Sequence, residues 1–78
     1  MAILAQTGET HDFTGFVFTE DANFSGATFS GDADFFTATF TQEANFNDAK
    51  FNRDTDYSHA TFTANANFDR AKFLLRKL

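Results

Sequence analysis

Aromatic residues recur along this chain at gaps that alternate between five and six residues. Two positions before nine of the twelve stands an Ala, and the residue between is polar everywhere except at Val17. Each unit therefore places two apolar side chains on one side of the backbone, which is typical of a short β-strand. The twelve aromatic positions are Phe13, Phe18, Phe24, Phe29, Phe35, Phe40, Phe46, Phe51, Tyr57, Phe62, Phe68 and Phe73.

A period of eleven residues also occurs in right-handed helical coiled coils. We reject that alternative because the apolar positions 1, 3, 6 and 8 of each eleven-residue unit would scatter around a helix instead of forming a stripe. Frequent Thr, Asp, Asn and Gly also disfavour a helix. A strand of about three residues followed by a turn, repeated many times, predicts an all-β solenoid that winds around its own apolar axis.

The true period is 22 residues, because Asp and Asn alternate strictly as the residue before the aromatic in the five-residue units. If one coil takes 22 residues, the aromatic side chains stack in four internal columns, one ring per layer. We expect this Phe ladder to fill the core, with Ala providing the space that the rings need. Residues 11–76 then form three coils, a stack about 15 Å tall.

The unit Ala-(Asp or Asn)-Phe, found at 22–24, 33–35, 44–46 and 66–68, resembles the repeat of the pentapeptide-repeat family. The resemblance covers residues 11–76 and implies a right-handed quadrilateral β-helix with one unit on each face and four units per coil. This chain departs from the family pattern because every second unit carries a sixth residue, which we expect to widen a corner on two opposite sides. The sixth residues are Asp21, Asp32, Glu43, Asp54, Asn65 and Arg76.

The net charge of −5 is distributed unevenly along the chain. Residues 1–48 carry eight acidic side chains and no Lys or Arg, whereas residues 49–78 carry three acidic and six basic side chains. We predict that residues 1–10 form an N-terminal cap, residues 11–76 the solenoid, and residues 74–78 a short apolar and basic C-terminal cap. The two ends of the solenoid are therefore expected to differ in charge.

Composition restricts the class of protein further. Thirteen of the 78 residues are Phe, an excess that points to repetition and not to an ordinary globular core. With no Cys, neither a disulfide nor a thiolate zinc site can form. The chain shows no signal peptide and no apolar run of the roughly 18 residues that cross a bilayer. We therefore expect a cytoplasmic protein.

The sequence shows no arrangement of residues that is typical of an enzyme. No nucleophile with a neighbouring base is evident, because Ser and Thr occupy repeat positions that suit outward strand faces and turns. His11 and His59 fall in different coils, so they do not predict a shared metal or acid–base site. We expect a non-enzymatic protein with no catalytic residue, no cofactor and no metal.

Acidic residues at the corners leave two interpretations open. The pairs Asp21 with Glu43 and Asp32 with Asp54 would stack one layer apart. Facing carboxylates about 5 Å apart could share a cation such as calcium, but the favoured interpretation is that they extend into water.

The leading functional hypothesis is self-association through the ends of the solenoid, as a dimer or a filament. A short solenoid has two open ends for few layers, and unpaired strand edges attract another chain. Acidic and basic ends would attract each other, and such a heterologous contact can continue into a filament. Phe16, too large for a uniform coil, is expected in the first coil under Ile3 or Leu4. The candidate interface residues are Ile3, Leu4, Phe16, Phe36, Arg70, Leu74, Leu75, Arg76, Lys77 and Leu78.

The alternative hypothesis comes from the family resemblance. Some pentapeptide-repeat proteins resemble duplex DNA in shape and charge, and the resemblance implies binding to a DNA-processing enzyme such as a type II topoisomerase. The corner acids would then stand in for phosphates. Under either hypothesis we expect a protein partner, without direct contact to nucleic acid or to a membrane.

Overall fold

The described part of the chain contains twelve short strands, one in each repeat unit. The computed structural model describes residues 10–74. Each strand has two residues, one fewer than predicted, because the chain turns directly after each ladder residue or one residue later. The strands are β1 (His11–Asp12), β2 (Val17–Phe18), β3 (Ala22–Asn23), β4 (Thr28–Phe29), β5 (Ala33–Asp34), β6 (Thr39–Phe40), β7 (Ala44–Asn45), β8 (Lys50–Phe51), β9 (Thr55–Asp56), β10 (Thr61–Phe62), β11 (Ala66–Asn67) and β12 (Lys72–Phe73).

Strands four apart in the chain pair in parallel and form four three-stranded sheets, which are the walls of the solenoid. We number the walls in chain order: face 1 holds β1, β5 and β9, face 2 holds β2, β6 and β10, face 3 holds β3, β7 and β11, and face 4 holds β4, β8 and β12. Ala33 on β5 pairs with His11 below and Thr55 above, so the register is 22 residues. The all-β solenoid of three coils, predicted from the sequence, is confirmed.

The core consists of four columns of stacked aromatic rings, as predicted. Phe46 lies between Phe24 at 4.9 Å and Phe68 at 5.0 Å, with ring planes within 6° of parallel. Rings of the opposite faces 1 and 3 meet edge to face, as at Phe24 and Phe35, whose planes cross at 85°. Both geometries are favourable for aromatic rings. The ladder therefore stacks along the solenoid axis and interlocks across it.

Alanine fills the inward position beside nine of the twelve rings because a larger side chain would compete for the same space. Ala38, Ala44 and Ala49 in the second coil have at most 1% of their surface exposed. The four Phe rings of that coil are equally buried. Dense packing of this kind makes the core sensitive to any change in side-chain volume.

Two kinds of corner alternate around each coil. After faces 1 and 3 the chain makes a tight turn, in which the N–H of Phe16 donates to the carbonyl of Phe13 at 3.0 Å. The third residue of this turn has a positive φ, 72° at Gly15 and 58° at Thr37, which is the signature of a type II turn. After faces 2 and 4 a three-residue bend contains the sixth residue of the unit. The extra residues thus lie at two opposite corners, as predicted.

The boundaries of the end segments stay predictions. All described strands lie within the range 11–76 that the sequence assigns to the solenoid. Most of the predicted caps, residues 1–9 and 75–78, lies outside the described residues. Between residues 10 and 74 the chain forms no helix of the length and apolarity that crossing a membrane would require.

Candidate interaction surface

The outward Asp and Asn residues of faces 1 and 3 are turn-capping groups. Asn23 accepts a hydrogen bond from the N–H of Ser25 at 2.9 Å, an arrangement that these short side chains favour. Hydrogen bonds from the side chain and the backbone of Thr14 lower the pKa of the Asp12 carboxyl. Asp and Asn thus cap the turns in the same way. The capping residues are Asp12, Asn23, Asp34, Asn45, Asp56 and Asn67.

The corner acids connect successive coils. Asp21 accepts a hydrogen bond from the backbone N–H of Glu43, and Asp32 accepts one from the N–H of Asp54, each at 3.2 Å. Asp21 and Asp32 therefore do not simply extend into water, as the favoured interpretation from the sequence expected, because each binds the backbone of the next coil. Among residues 10–74 no cluster of three or more metal-ligating side chains is present.

Arg70 and Arg53, both within residues 10–74, form ion pairs with acidic side chains. Arg70, a predicted interface residue, donates two hydrogen bonds to the carboxylate of Asp48, at 2.8 and 3.2 Å. The hydrogen bond from Arg70 lowers the pKa of Asp48, and the same bond raises the pKa of Arg70. Arg53 lies 3.8 Å from Asp32. All four side chains are about half exposed or more, so these pairs contribute little to stability.

Charge changes along the solenoid axis, as the sequence predicted. The first coil carries four acidic side chains and no Lys or Arg, whereas the described part of the third coil carries two of each sign. In the first coil the acids are Asp12, Glu20, Asp21 and Asp32, and in the third coil the charged residues are Asp56, Asp69, Arg70 and Lys72.

The two ends of the core differ in burial. In the first coil Phe13 is partly buried, whereas Phe18, Phe24 and Phe29 have at most 6% of their surface exposed. In the third coil Phe68 and Phe73 are only partly buried. Ala66 is exposed, although its column neighbour Ala44 is 1% exposed. The end formed by the third coil is therefore the open end of the ladder.

Tyr57 is the one ladder residue with a polar atom, and that atom has no hydrogen-bond partner. Its hydroxyl oxygen is buried inside the third coil, while its ring stacks on Phe35 at 4.8 Å. Burial raises the pKa of the Tyr57 hydroxyl. The sequence places Tyr57 in the ladder correctly, but only the packing of the neighbouring rings shows that the hydroxyl finds no acceptor.

Three apolar side chains among the predicted interface residues are exposed. Phe16 has 49% of its surface exposed and packs edge to face on Phe13 at 5.4 Å. Phe36 has 39% exposed and Leu74 has 67%. His59 contacts Phe36 edge on at 5.7 Å. The predicted cover of Phe16 and the remaining candidates fall outside the described residues: Ile3, Leu4, Leu75, Arg76, Lys77 and Leu78.

Comparison with known families agrees with this geometry. The family described as Pentapeptide repeats (9 copies) matches residues 13–56, which is more than half of the chain. No curated protein and no solved structure matches the chain.

Proposed function

Because this chain belongs to the pentapeptide-repeat family, we propose that it is a non-enzymatic interaction module that binds further copies of itself through the ends of the solenoid. The observation that carries the proposal is the open third coil. Its ladder rings are only partly buried, and Ala66 is exposed where the equivalent Ala44 is buried. A further layer of chain on this end would remove apolar surface from water, which favours association.

Strand edges support the same proposal. Eight of the twelve strands lie at an edge of a three-stranded sheet, four in the first coil and four in the third. An edge strand presents backbone groups that can pair with another chain. Both ends of the solenoid are thus suited to contact a second copy.

Two geometries satisfy these features and differ in how they respond to salt. The charge difference between the first and third coils favours head-to-tail stacking, which can extend into a filament. The difference in burial favours a closed dimer in which two third coils meet. Head-to-tail contacts between unlike charges should weaken as salt is added, because surface charges are screened. An apolar dimer contact should persist.

The test is the molar mass in solution, measured by sedimentation equilibrium across protein and salt concentrations. We expect masses above the 8.7 kDa of one chain that rise with concentration. Ala66→Lys, which places a charge on the open end, should shift the mass toward the monomer. Gln42→Lys adds the same charge to an exposed bend of the second coil and should have no effect. A monomer at every concentration would refute the proposal.

One observation favours a second candidate, an acidic surface that binds a DNA-processing enzyme. Asp12, Asp34 and Asp56 form a column of three carboxylates along face 1. Their spacing of one layer could present charge to a nucleic-acid-binding surface. A supercoiling assay with a type II topoisomerase tests this candidate, which predicts inhibition that Asp34→Asn relieves. Unchanged activity at high protein concentration would eliminate it.

A further inference from the structure

One strip of the solenoid wall contains no Asp, Glu, Lys or Arg in any of the three coils. It comprises face 2 together with the tight turn that precedes it, residues 14–19, 36–41 and 58–63. We call it the uncharged strip. All four Lys and Arg residues and all ten Asp and Glu residues between positions 10 and 74 lie outside it. In an acidic chain, such a continuous uncharged area is a distinctive surface.

Three of the four exposed large hydrophobic side chains among the described residues lie on this strip. Among residues 10–74 four large hydrophobic side chains are exposed, and Phe16, Val17 and Phe36 belong to the strip at 49%, 59% and 39% exposure. The fourth is Leu74. Exposed apolar side chains surrounded by polar residues are typical of interaction sites.

The needs of the fold explain only some of the residues on the uncharged strip. The Thr residues suit an outward strand position, and the hydroxyl of Thr41 donates to the carbonyl of Phe18 at 2.7 Å. Val17 has no such role, because the equivalent position in every other unit is polar. Phe36 occupies a turn position that is Thr14 in the coil below and Ser58 in the coil above. These apolar side chains therefore point to a ligand.

Acidic side chains border the uncharged strip on both sides. Face 1 precedes it with a column of Asp residues, and the bend that follows face 2 carries further acids. No Lys or Arg of residues 10–74 lies on either border. The bordering acids are Asp12, Asp34, Asp56, Glu20, Asp21 and Glu43.

From this arrangement we propose that the uncharged strip binds a basic amphipathic helix of a partner protein. The helix would place an apolar ridge on Phe16, Val17 and Phe36 and a row of Lys or Arg against each acidic border. A strip about 15 Å tall fits about ten helical residues at about 1.5 Å each. Electrostatic complementarity of this kind favours association.

The borders argue against other occupants. Two copies placed strip to strip would bring acidic borders together, and an anionic lipid surface would meet the same acids. Like charges in close apposition oppose binding. This contact is also separate from the end-to-end association proposed above, since it uses a wall of the solenoid.

The test is fluorescence anisotropy of the full chain with a labelled synthetic helix of about fourteen residues, with leucines along one ridge and lysines on both sides. A scrambled peptide of the same composition keeps the charge and loses the ridge. We expect the scrambled peptide to bind at least about tenfold more weakly. Equal affinities would show attraction by charge alone and would overturn the proposal.

Variants locate the contact. Val17→Thr with Phe36→Ser introduces residues that other coils carry at these positions, so the fold should be retained, with an unchanged circular-dichroism spectrum. We expect about a tenfold loss of affinity for the helix. Leu74→Ser, which removes exposed apolar surface outside the strip, should bind normally.

Two results with the same double variant would overturn the proposal. Binding that is unchanged would exclude the strip as the contact. A loss of self-association would identify a second copy as the occupant. Binding of the wild type to anionic vesicles more strongly than to the helix would identify a lipid surface instead.

Discussion

At the scale of single residues, stability depends on rings that touch one another in two directions. Phe46 stacks on Phe24 and Phe68 and meets Phe35 and Tyr57 edge to face. A side chain with this many ring contacts combines hydrophobic burial with aromatic geometry. The polar residue beside each ring faces outward, so neighbouring positions in the chain differ greatly in their tolerance of substitution.

Phe46→Ala should lower the free energy of unfolding by about 3–5 kcal/mol, because it leaves a cavity in the middle of a column. For a domain of this size that loss is a large part of the total stability. Urea unfolding followed by circular dichroism measures the change. Ser25→Ala, on an exposed turn, should stay within about 0.5 kcal/mol. Similar losses at both positions would contradict the inward placement of Phe46.

Tyr57→Phe should raise the free energy of unfolding by about 1 kcal/mol at pH 7, because it removes a buried hydroxyl that has no partner. Phe35→Tyr, which would add such a hydroxyl in the same column, should lower it. Urea unfolding of the two variants beside the wild type measures both effects. A loss of stability in Tyr57→Phe would show that the hydroxyl has a partner.

The same residue predicts a dependence on alkaline pH. Burial raises the pKa of the Tyr57 hydroxyl in the folded chain, whereas in the unfolded chain it is about 10. Above that pH the unfolded state releases a proton that the folded state keeps, so stability falls as pH rises. Unfolding curves at pH 8 and pH 11 should show a smaller loss for Tyr57→Phe than for the wild type. Equal losses would show that Tyr57 does not cause the dependence.

At the scale of the elements, each two-residue strand is held between corners that side chains complete. Asn45 accepts the N–H of Asn47 at 2.9 Å, and Asp34 accepts the N–H of Phe36 at 3.0 Å. Hydrogen bonds between coils extend beyond the strands, as from the N–H of Gly26 to the carbonyl of Asn47 at 2.8 Å. Strands this short are stable because the corners on both sides of each strand also form backbone hydrogen bonds with the next coil.

Asn45→Ala should lower the free energy of unfolding by about 1 kcal/mol, since it removes the acceptor for a turn N–H. Asn45→Asp keeps a side chain of the same length with an acceptor oxygen, and Asp is the residue that face 1 carries at this position. The free energy of unfolding of this variant should stay within about 0.5 kcal/mol of the wild type. Thermal melts of both variants provide the comparison. If Asp were as destabilising as Ala, the capping role would be wrong.

At the scale of the whole molecule, three coils share one core, and only the second has a coil on both sides. In such repeat proteins each unit interacts with its nearest neighbours, so stability grows with the number of interfaces. This explains why all four rings of the second coil are buried, whereas Phe13 in the first coil and Phe68 and Phe73 in the third are only partly buried.

Insertion of a second copy of residues 33–54 directly after Asp54 should therefore raise stability. The new coil continues the 22-residue register and adds a fully buried layer to the ladder. The urea midpoint and the m-value should both increase, because more surface is buried on folding. If the residue copied from Gln42 is left out of the insertion, the strands that follow it shift by one residue relative to the coil before them, and the chain should be destabilised. An equal response to both insertions would contradict the register.

Much of the fold could be predicted because its main signal is local and repeated. A strand turns alternate residues inward, so Ala22 and Phe24 could be assigned to the core without knowledge of their neighbours. The candidate surfaces were less predictable. Phe16 and Phe36 could be recognised because they depart from the repeat pattern. That both lie on one strip depends on how the faces and turns are arranged around the solenoid.

The sequence by itself determined the inward and outward residues and the length of one circuit, because identical side chains recur 22 positions apart and a strand has only two faces. The tertiary structure decided what the outward groups contact. Asp21 reaches the backbone of Glu43 one layer away, and the Tyr57 hydroxyl is enclosed by rings that leave it without an acceptor. Such contacts are set by distances between atoms of different coils, which periodicity along the chain does not specify.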